Sequence, residues 1–182
     1  MISMLVVGRL VRKVDPRALV LAGLTLTALS LYEMTGFTPQ MDSWPIIRSG
    51  VVQGLGLGLV FVPLSTIAFA TLEPRFRADA TSLFSLVRNI GSSIGISAVS
   101  YLLTRNIQVN HAELSAAVNP FNPALWQASP AAAAGGPAAL SRMDGLVNAQ
   151  AAMIAYLDDF RLMMWITLAA LPLALLLRRP LR

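Results

Sequence analysis

Two long apolar runs, separated by a short charged turn, constrain this sequence more than any other feature. They cover residues 44–72 and 80–103, and the turn at residues 73–79 holds four charged side chains. Each run exceeds the roughly 20 apolar residues that a helix needs to cross a bilayer. The pattern predicts a membrane hairpin whose helices pack against other helices, so function has to be sought in the membrane.

The composition favours several membrane spans over one soluble core. Of the 182 residues 55% are hydrophobic and only 13% are charged, which is far too apolar for a soluble domain of this size. There is no cysteine, and the one histidine, His111, cannot make a metal site by itself. No pair of carboxylates and no Ser/His/Asp set is apparent. The sequence therefore predicts no enzyme, no catalytic residue, no metal and no cofactor.

Hydropathy divides the chain into four complete spans and the segments between them. The predicted transmembrane helices are 18–37, 44–72, 80–103 and 160–177. The predicted remaining segments are the end of a truncated span at 1–7, a basic cytoplasmic loop at 8–17, an extracytoplasmic loop at 104–159 and a cytoplasmic tail at 178–182.

The basic residues indicate how these spans are oriented. With the 8–17 loop in the cytoplasm, nine Lys and Arg residues lie on the cytoplasmic side and four on the other. This bias follows the positive-inside rule. The net charge of +5 is thus a topology signal, and we expect no nucleic acid partner.

The predicted loop at 104–159 differs from the rest of the chain. Residues 119–123 contain two Asn-Pro turn signals, and residues 129–137 form an Ala/Gly/Pro run typical of a flexible connection. Residues 138–156 fit either an amphipathic helix, which would lie on the outer membrane surface or cover the extracellular mouth, or a partly ordered loop. The sequence leaves both open.

Glycines recur at four-residue spacing in both long spans. They are Gly50, Gly54 and Gly58 in the first, and Gly91 and Gly95 in the second. This spacing exposes backbone on one helix face and lets another helix approach closely in lipid. Because the glycines lie inside a continuous apolar run, they do not form a nucleotide-binding loop. The predicted seam either packs statically or lets two helices move past each other.

The 44–72 span combines a helix breaker with polar side chains. Pro63 removes one backbone hydrogen bond, Gln53 precedes it, and Ser65 follows it. Membrane helices that line a polar cavity tend to combine a break with a few polar groups. A purely structural kink with locally bonded hydroxyls explains the same residues.

Arg88 is the most costly residue of the sequence, because it lies about 12 Å into its span. An arginine at mid-membrane costs from about 2.5 to more than 10 kcal/mol. Arg88 therefore either has a partner in protein or water, or extends toward the cytoplasmic interface. Glu33, near the outer end of its span, is expected to be interfacial.

These residues resemble those of a known transporter family. Residues 8–17 resemble the basic cytoplasmic loop motif of the major facilitator superfamily, in which Gly8, Lys13 and Arg17 match. Arg12 and Asp15 stand where that motif has Asp and Gly. A stronger resemblance, to the 14-span drug:proton antiporters of the EmrB/QacA type, is carried by residues 50–58, 63–67, 80–83 and 88–95. Residues 111–114 and 118–123 resemble the EmrB branch.

The resemblance implies an all-α membrane protein that is part of the C-terminal six-helix half of a major facilitator fold. The chain would be the carboxy-terminal fragment of such an antiporter. It implies that Gln53, Phe61 and Ser65 face the substrate cavity, and that Gly8, Lys13 and Arg17 belong to a cytoplasmic gating loop. The proton-coupling carboxylates would lie in the amino-terminal half.

The function implied is multidrug efflux by proton antiport and alternating access in a bacterial inner membrane. Expected partners are the lipid bilayer, small hydrophobic or amphipathic substrates, and, by analogy with the EmrB branch, a periplasmic adaptor and an outer-membrane channel. Two alternatives stand beside it. One is a metabolite transporter of the same superfamily, and the other is a non-transporting truncated product or helical subunit.

Overall fold

The computed structural model describes residues 14–69, 72–118 and 136–176. Within these ranges the chain forms four α-helices and no strand, which confirms the all-α prediction. The helices are α1 (Pro16–Met34), α2 (Ser43–Phe69), α3 (Arg77–Ala116) and α4 (Pro137–Leu175), and a 3-10 turn at Pro74–Phe76 precedes α3.

Three helices in the described ranges are long and apolar enough to cross a membrane: α1, α2 and Pro74–Ala116, which is α3 with its preceding turn. The predicted fourth span, 160–177, lies in α4 but ends beyond the described residues, so it stays a prediction. The predicted segments 1–7 and 178–182, and all of the 8–17 loop before residue 14, also lie outside them.

The predicted outer loop is more helical than hydropathy indicates. Its first part belongs to α3, which continues to Ala116, and its last part belongs to α4, which begins at Pro137. Of the two interpretations of residues 138–156, the structure therefore has the helix. The Asn-Pro signals at 119–123 fall almost entirely outside the described residues.

The chain divides into two compact units. The first contains α1, α2, α3 up to Ile94 and α4 from Phe160, and the second is Gly95–Asp159.

The first unit is built around a close crossing of α1 and α2. Leu19, Val20 and Leu31 are 2–4% exposed and supply the apolar side of α1. The Ser30 hydroxyl donates a buried 2.7 Å hydrogen bond to the Ser49 carbonyl on α2. A hydroxyl bonded across two helices satisfies a polar group where lipid would not.

Glycine is required where the two helices are nearest. A Cβ added at Gly56 would lie 2.5 Å from Thr27 Oγ1 and 2.8 Å from the Gly23 carbonyl oxygen, and a Cβ at Gly23 would lie 2.6 Å from the Gly56 carbonyl oxygen. Since two of these atoms are backbone, the contact leaves no room for a side chain. Edge-to-face aromatic pairs close other parts of the unit: Phe69 with Phe84 at 5.6 Å, and Phe37 with Phe160 at 6.3 Å between ring centroids.

The second unit is a helical hairpin made by the end of α3 and the start of α4. His111 Nε2 lies 3.0 Å from Asp144 Oδ1 across the hairpin. Ala151 and Ala155 are fully buried, so small side chains allow close approach. Each helix has 39 or 40 residues, about 60 Å at 1.5 Å per residue, which is roughly twice the hydrocarbon thickness.

Candidate functional site

Helix α2 is the element on which most of the predicted site residues lie. It continues through Pro63, which is almost completely buried. Proline cannot donate the bond that the Leu59 carbonyl would otherwise accept. Two and three residues later, the hydroxyls of Ser65 and Thr66 each donate a 2.9 Å bond to the Val62 carbonyl. Hydroxyls bonded to their own helix in this way are tolerated in lipid and commonly accompany a bend.

The predicted cavity residues do not all share one face of α2. Ser49, Gly56 and Pro63 are buried, and the first two contact α1. At 100° per residue, Phe61 and Ser65 lie on the far side of the helix, whereas Gln53 lies about 80° from Phe61, near the contact face. Phe61 is 42% exposed, and Gln53 is half-buried.

The predicted glycine seam lies mostly on open surface. An added Cβ at Gly50, Gly54, Gly91 or Gly95 would meet nothing within 4 Å in the described residues, while Gly58 is buried. Gly50 and Gly54 share the face of Phe61 and Ser65. Their role in packing against further helices stays a prediction.

The glycine contact that the structure contains lies outside the predicted seam. Gly23 and Thr27 on α1 are four residues apart and meet Gly56 on α2. The four-residue spacing of Gly23 and Thr27 is a signal for close helix packing. Gly56 lies between Gly54 and Gly58 in the sequence and is not part of the predicted seam.

Arg88 is exposed on α3. No described residue forms an ion pair with Arg88. Ser92, one turn later, donates a 3.0 Å hydrogen bond from its hydroxyl to the Asn89 carbonyl. Ser85, Arg88 and Ser92 follow each other at spacings of three and four residues, so they form a polar face. A partner for Arg88 inside the membrane and its extension toward the interface both stay predictions.

Two acidic side chains outside this face, Glu33 and Asp159, have different surroundings. Glu33 forms an ion pair with Arg48 between the end of α1 and the start of α2. Asp159, directly before the predicted span 160–177, is 4% exposed. Burial raises the pKa of its carboxyl, and the neighbouring Asp158 charge raises it further. No group of three described His, Asp or Glu side chains is placed to hold a metal ion.

Of the three predicted gating residues, the structure describes Arg17. Arg17 is half-buried in the first turn of α1, where its backbone N–H donates a 3.2 Å bond to the Asp15 carboxylate. Gly8 and Lys13 lie outside the described residues.

The family pattern described as Major Facilitator Superfamily matches residues 1–144. The chain belongs to this superfamily. Proteins of the superfamily are multi-pass membrane transporters, which agrees with the apolar helices of the described part of the chain.

Curated relatives of this major facilitator chain are named for drug export or resistance. "Multidrug export protein EmrB" of Escherichia coli strain K12 is 35% identical over 123 residues, which are 65% of this chain and 23% of the relative. "Multidrug resistance protein B homolog" of Mycobacterium tuberculosis strain H37Rv is 36% identical over 118 residues, 64% of this chain and 22% of the relative. "Fatty acid resistance protein FarB" of Neisseria gonorrhoeae is 31% identical over 121 residues, 66% and 24% of the two chains.

The chain spans about a quarter of the length of the curated relatives it matches. No solved structure matches it.

Proposed function

We propose that this chain supplies part of the translocation path of a multidrug efflux transporter. The transporter would exchange protons for drugs by alternating access in a bacterial inner membrane. Membership of the major facilitator superfamily and the relatives named for multidrug export support this. The single observation that carries it in the structure is the open face of α2, where Phe61 and Ser65 lie beside Gly50 and Gly54, away from α1.

This face suits small hydrophobic or amphipathic substrates. Phe61 offers an apolar, polarisable ring, the two glycines leave space, and no charged residue of α2 lies near Phe61. Apolar walls with few polar groups tolerate varied shapes, since affinity there depends on buried area more than on directional bonds. The relative named for fatty acid resistance supports including amphipathic acids in this class.

Three other parts of the chain would have roles in the same transporter. Arg88 would face the interior of the intact transporter, because an arginine inside a span is costly unless it contacts protein or water. The predicted extracytoplasmic segment 104–159, which contains the end of α3 and the start of α4, would meet a periplasmic adaptor leading to an outer-membrane channel. The basic loop with Gly8, Lys13 and Arg17 would gate the cytoplasmic side.

We expect Phe61→Ala, in the transporter that contains this chain, to change the range of compounds exported. Removing the ring removes contact area from the cavity, so resistance to large aromatic cations should fall about fourfold or more while smaller substrates change less. The measurement is a panel of minimal inhibitory concentrations in a strain lacking its own efflux pumps.

Leu55→Ala is the matched control. Leu55 is 44% exposed, close to the 42% of Phe61, but lies about 120° from it around α2. If both variants alter the drug profile equally, or neither does, the assignment of the cavity face is wrong.

A further inference from the structure

A cavity of about 370 Å³ opens where α1 ends and α2 begins. Its lining includes Glu33 from the last turn of α1, Phe37 from the connection, and Trp44 and Arg48 from the start of α2. All belong to the first unit. The volume is at the small end of the range for ligand sites, so it fits a compact group rather than a whole drug molecule.

The charges in this cavity are paired with each other but remain accessible. One guanidinium nitrogen of Arg48 contacts Glu33 Oε1, while the two side chains keep 60% and 27% of their surface exposed. A guanidinium carries five N–H donors, and a carboxylate accepts up to about four bonds. Each group can therefore take a second partner of opposite charge without losing the first.

Two helices that are apolar and long enough to cross a membrane form this cavity with their ends. The ends of such helices lie at the edge of the hydrocarbon, at the depth of the lipid headgroups. Trp44 is 70% exposed and Tyr32 is 64% exposed at this same end. Tryptophan and tyrosine are enriched at membrane–water interfaces, where one side of the ring is apolar and the other is wet.

We propose that this cavity binds the headgroup of a zwitterionic phospholipid, phosphatidylethanolamine, with its phosphate on Arg48 and its ammonium on Glu33. The site presents a cation and an anion side by side, and this lipid presents the complementary pair. Guanidinium groups bind phosphate oxygens with charge-assisted, often bidentate, hydrogen bonds. Exposed aromatic rings at the rim contact the glycerol region and first methylenes.

Other lipids fit the site less well. Phosphatidylglycerol offers a phosphate to Arg48 but no cation for Glu33, whose carboxylate would then repel it. Phosphatidylcholine carries a quaternary ammonium that has no N–H to donate. The order of binding follows from these differences: phosphatidylethanolamine first, phosphatidylcholine second, phosphatidylglycerol last. This inference is independent of the proposed efflux activity, because it concerns only the α1–α2 end.

The test uses Trp44 as a reporter in the full chain reconstituted in nanodiscs. Trp126 and Trp165 are replaced by Phe, and quenching of Trp44 by each lipid carrying brominated acyl chains gives relative association constants. We expect a preference for phosphatidylethanolamine over phosphatidylglycerol of about threefold to tenfold. In Glu33→Gln and Arg48→Gln the ratio of the two association constants should fall to within about twofold of unity. Arg48→Lys, which keeps the positive charge, should keep part of the preference.

Glu73→Gln is the matched control, since Glu73 also forms an ion pair with an arginine, Arg75, but in the turn before α3. It should leave the preference at Trp44 unchanged. A wild-type ratio of phosphatidylethanolamine to phosphatidylglycerol association near one would mean that only annular lipid surrounds Trp44. A preference that persists in Glu33→Gln and Arg48→Gln would mean that the ion pair does not select the lipid. Either result overturns the proposal. The wild-type ratio and Arg48→Lys decide the question even if a neutral variant fails to insert.

Discussion

Gly56→Ala should destabilise the α1–α2 pair by about 1–3 kcal/mol, because the added methyl group has no free space. Its Cβ would lie 2.5 Å from Thr27 Oγ1 and 2.8 Å from the Gly23 carbonyl oxygen. The carbonyl belongs to a helix backbone and cannot rotate away, so α1 and α2 would have to separate. Separation would also lengthen the buried bond from Ser30 to Ser49, which is 2.7 Å in the structure.

The measurement is cross-linking between cysteines placed at Ser30 and Ser49, combined with thermal unfolding in detergent micelles. The natural chain has no cysteine, so the introduced pair reports this crossing alone. We expect Gly56→Ala to reduce cross-linking severalfold and to lower the unfolding temperature.

Gly54→Ala provides the contrast, since an added Cβ at Gly54 meets none of the described residues within 4 Å. Alanine is about 1 kcal/mol better than glycine inside a helix, so this variant should unfold at the same or a slightly higher temperature. Equal destabilisation by the two substitutions would refute the assigned crossing.

Arg88→Leu is expected to abolish most of the efflux activity of the intact transporter while leaving insertion intact. Leucine inserts more favourably than arginine in the middle of a span by about 3 kcal/mol on insertion scales, so the variant should reach the membrane at normal abundance. If Arg88 faces a carboxylate or a substrate in the interior, its removal leaves that partner unpaired, and we expect at least about a tenfold fall in efflux rate. Arg88→Lys should retain part of the activity.

Arg105→Leu is the control, because Arg105 lies on α3 just outside the predicted span 80–103 and is exposed, as Arg88 is. It should leave the efflux rate within about twofold of the natural protein, a change of under 0.5 kcal/mol. Full activity in Arg88→Leu would show that Arg88 only extends toward the interface.

The helices inside the membrane are predictable because hydropathy is a property of each segment by itself. The predicted span 44–72 overlaps α2 (Ser43–Phe69), and the predicted span 18–37 overlaps α1 (Pro16–Met34). Hydropathy fails where a helix leaves the lipid. α3 continues to Ala116 through polar residues, which carry no apolar pattern that would mark them as helical.

Contacts between helices are harder to predict, because they depend on two sequences at once. In α2 glycine occurs at residues 54, 56 and 58, and four-residue spacing favoured the face of Gly54 and Gly58. The structure places Gly56 against α1 because Gly23 and Thr27 supply the complementary surface. For the same reason the pairing of Glu33 with Arg48, fifteen residues apart, could not be read from either helix alone.

Dye transport by membrane vesicles tests most directly whether this chain works as part of a proton-driven drug exporter. Inside-out membrane vesicles are prepared from a pump-deficient strain that makes the full native product containing this chain, and accumulation of an apolar fluorescent dye is followed after a proton gradient is imposed. The account predicts dye uptake into the vesicles that stops when a protonophore collapses the gradient. Vesicles that contain the protein but move no dye in response to the gradient would contradict it.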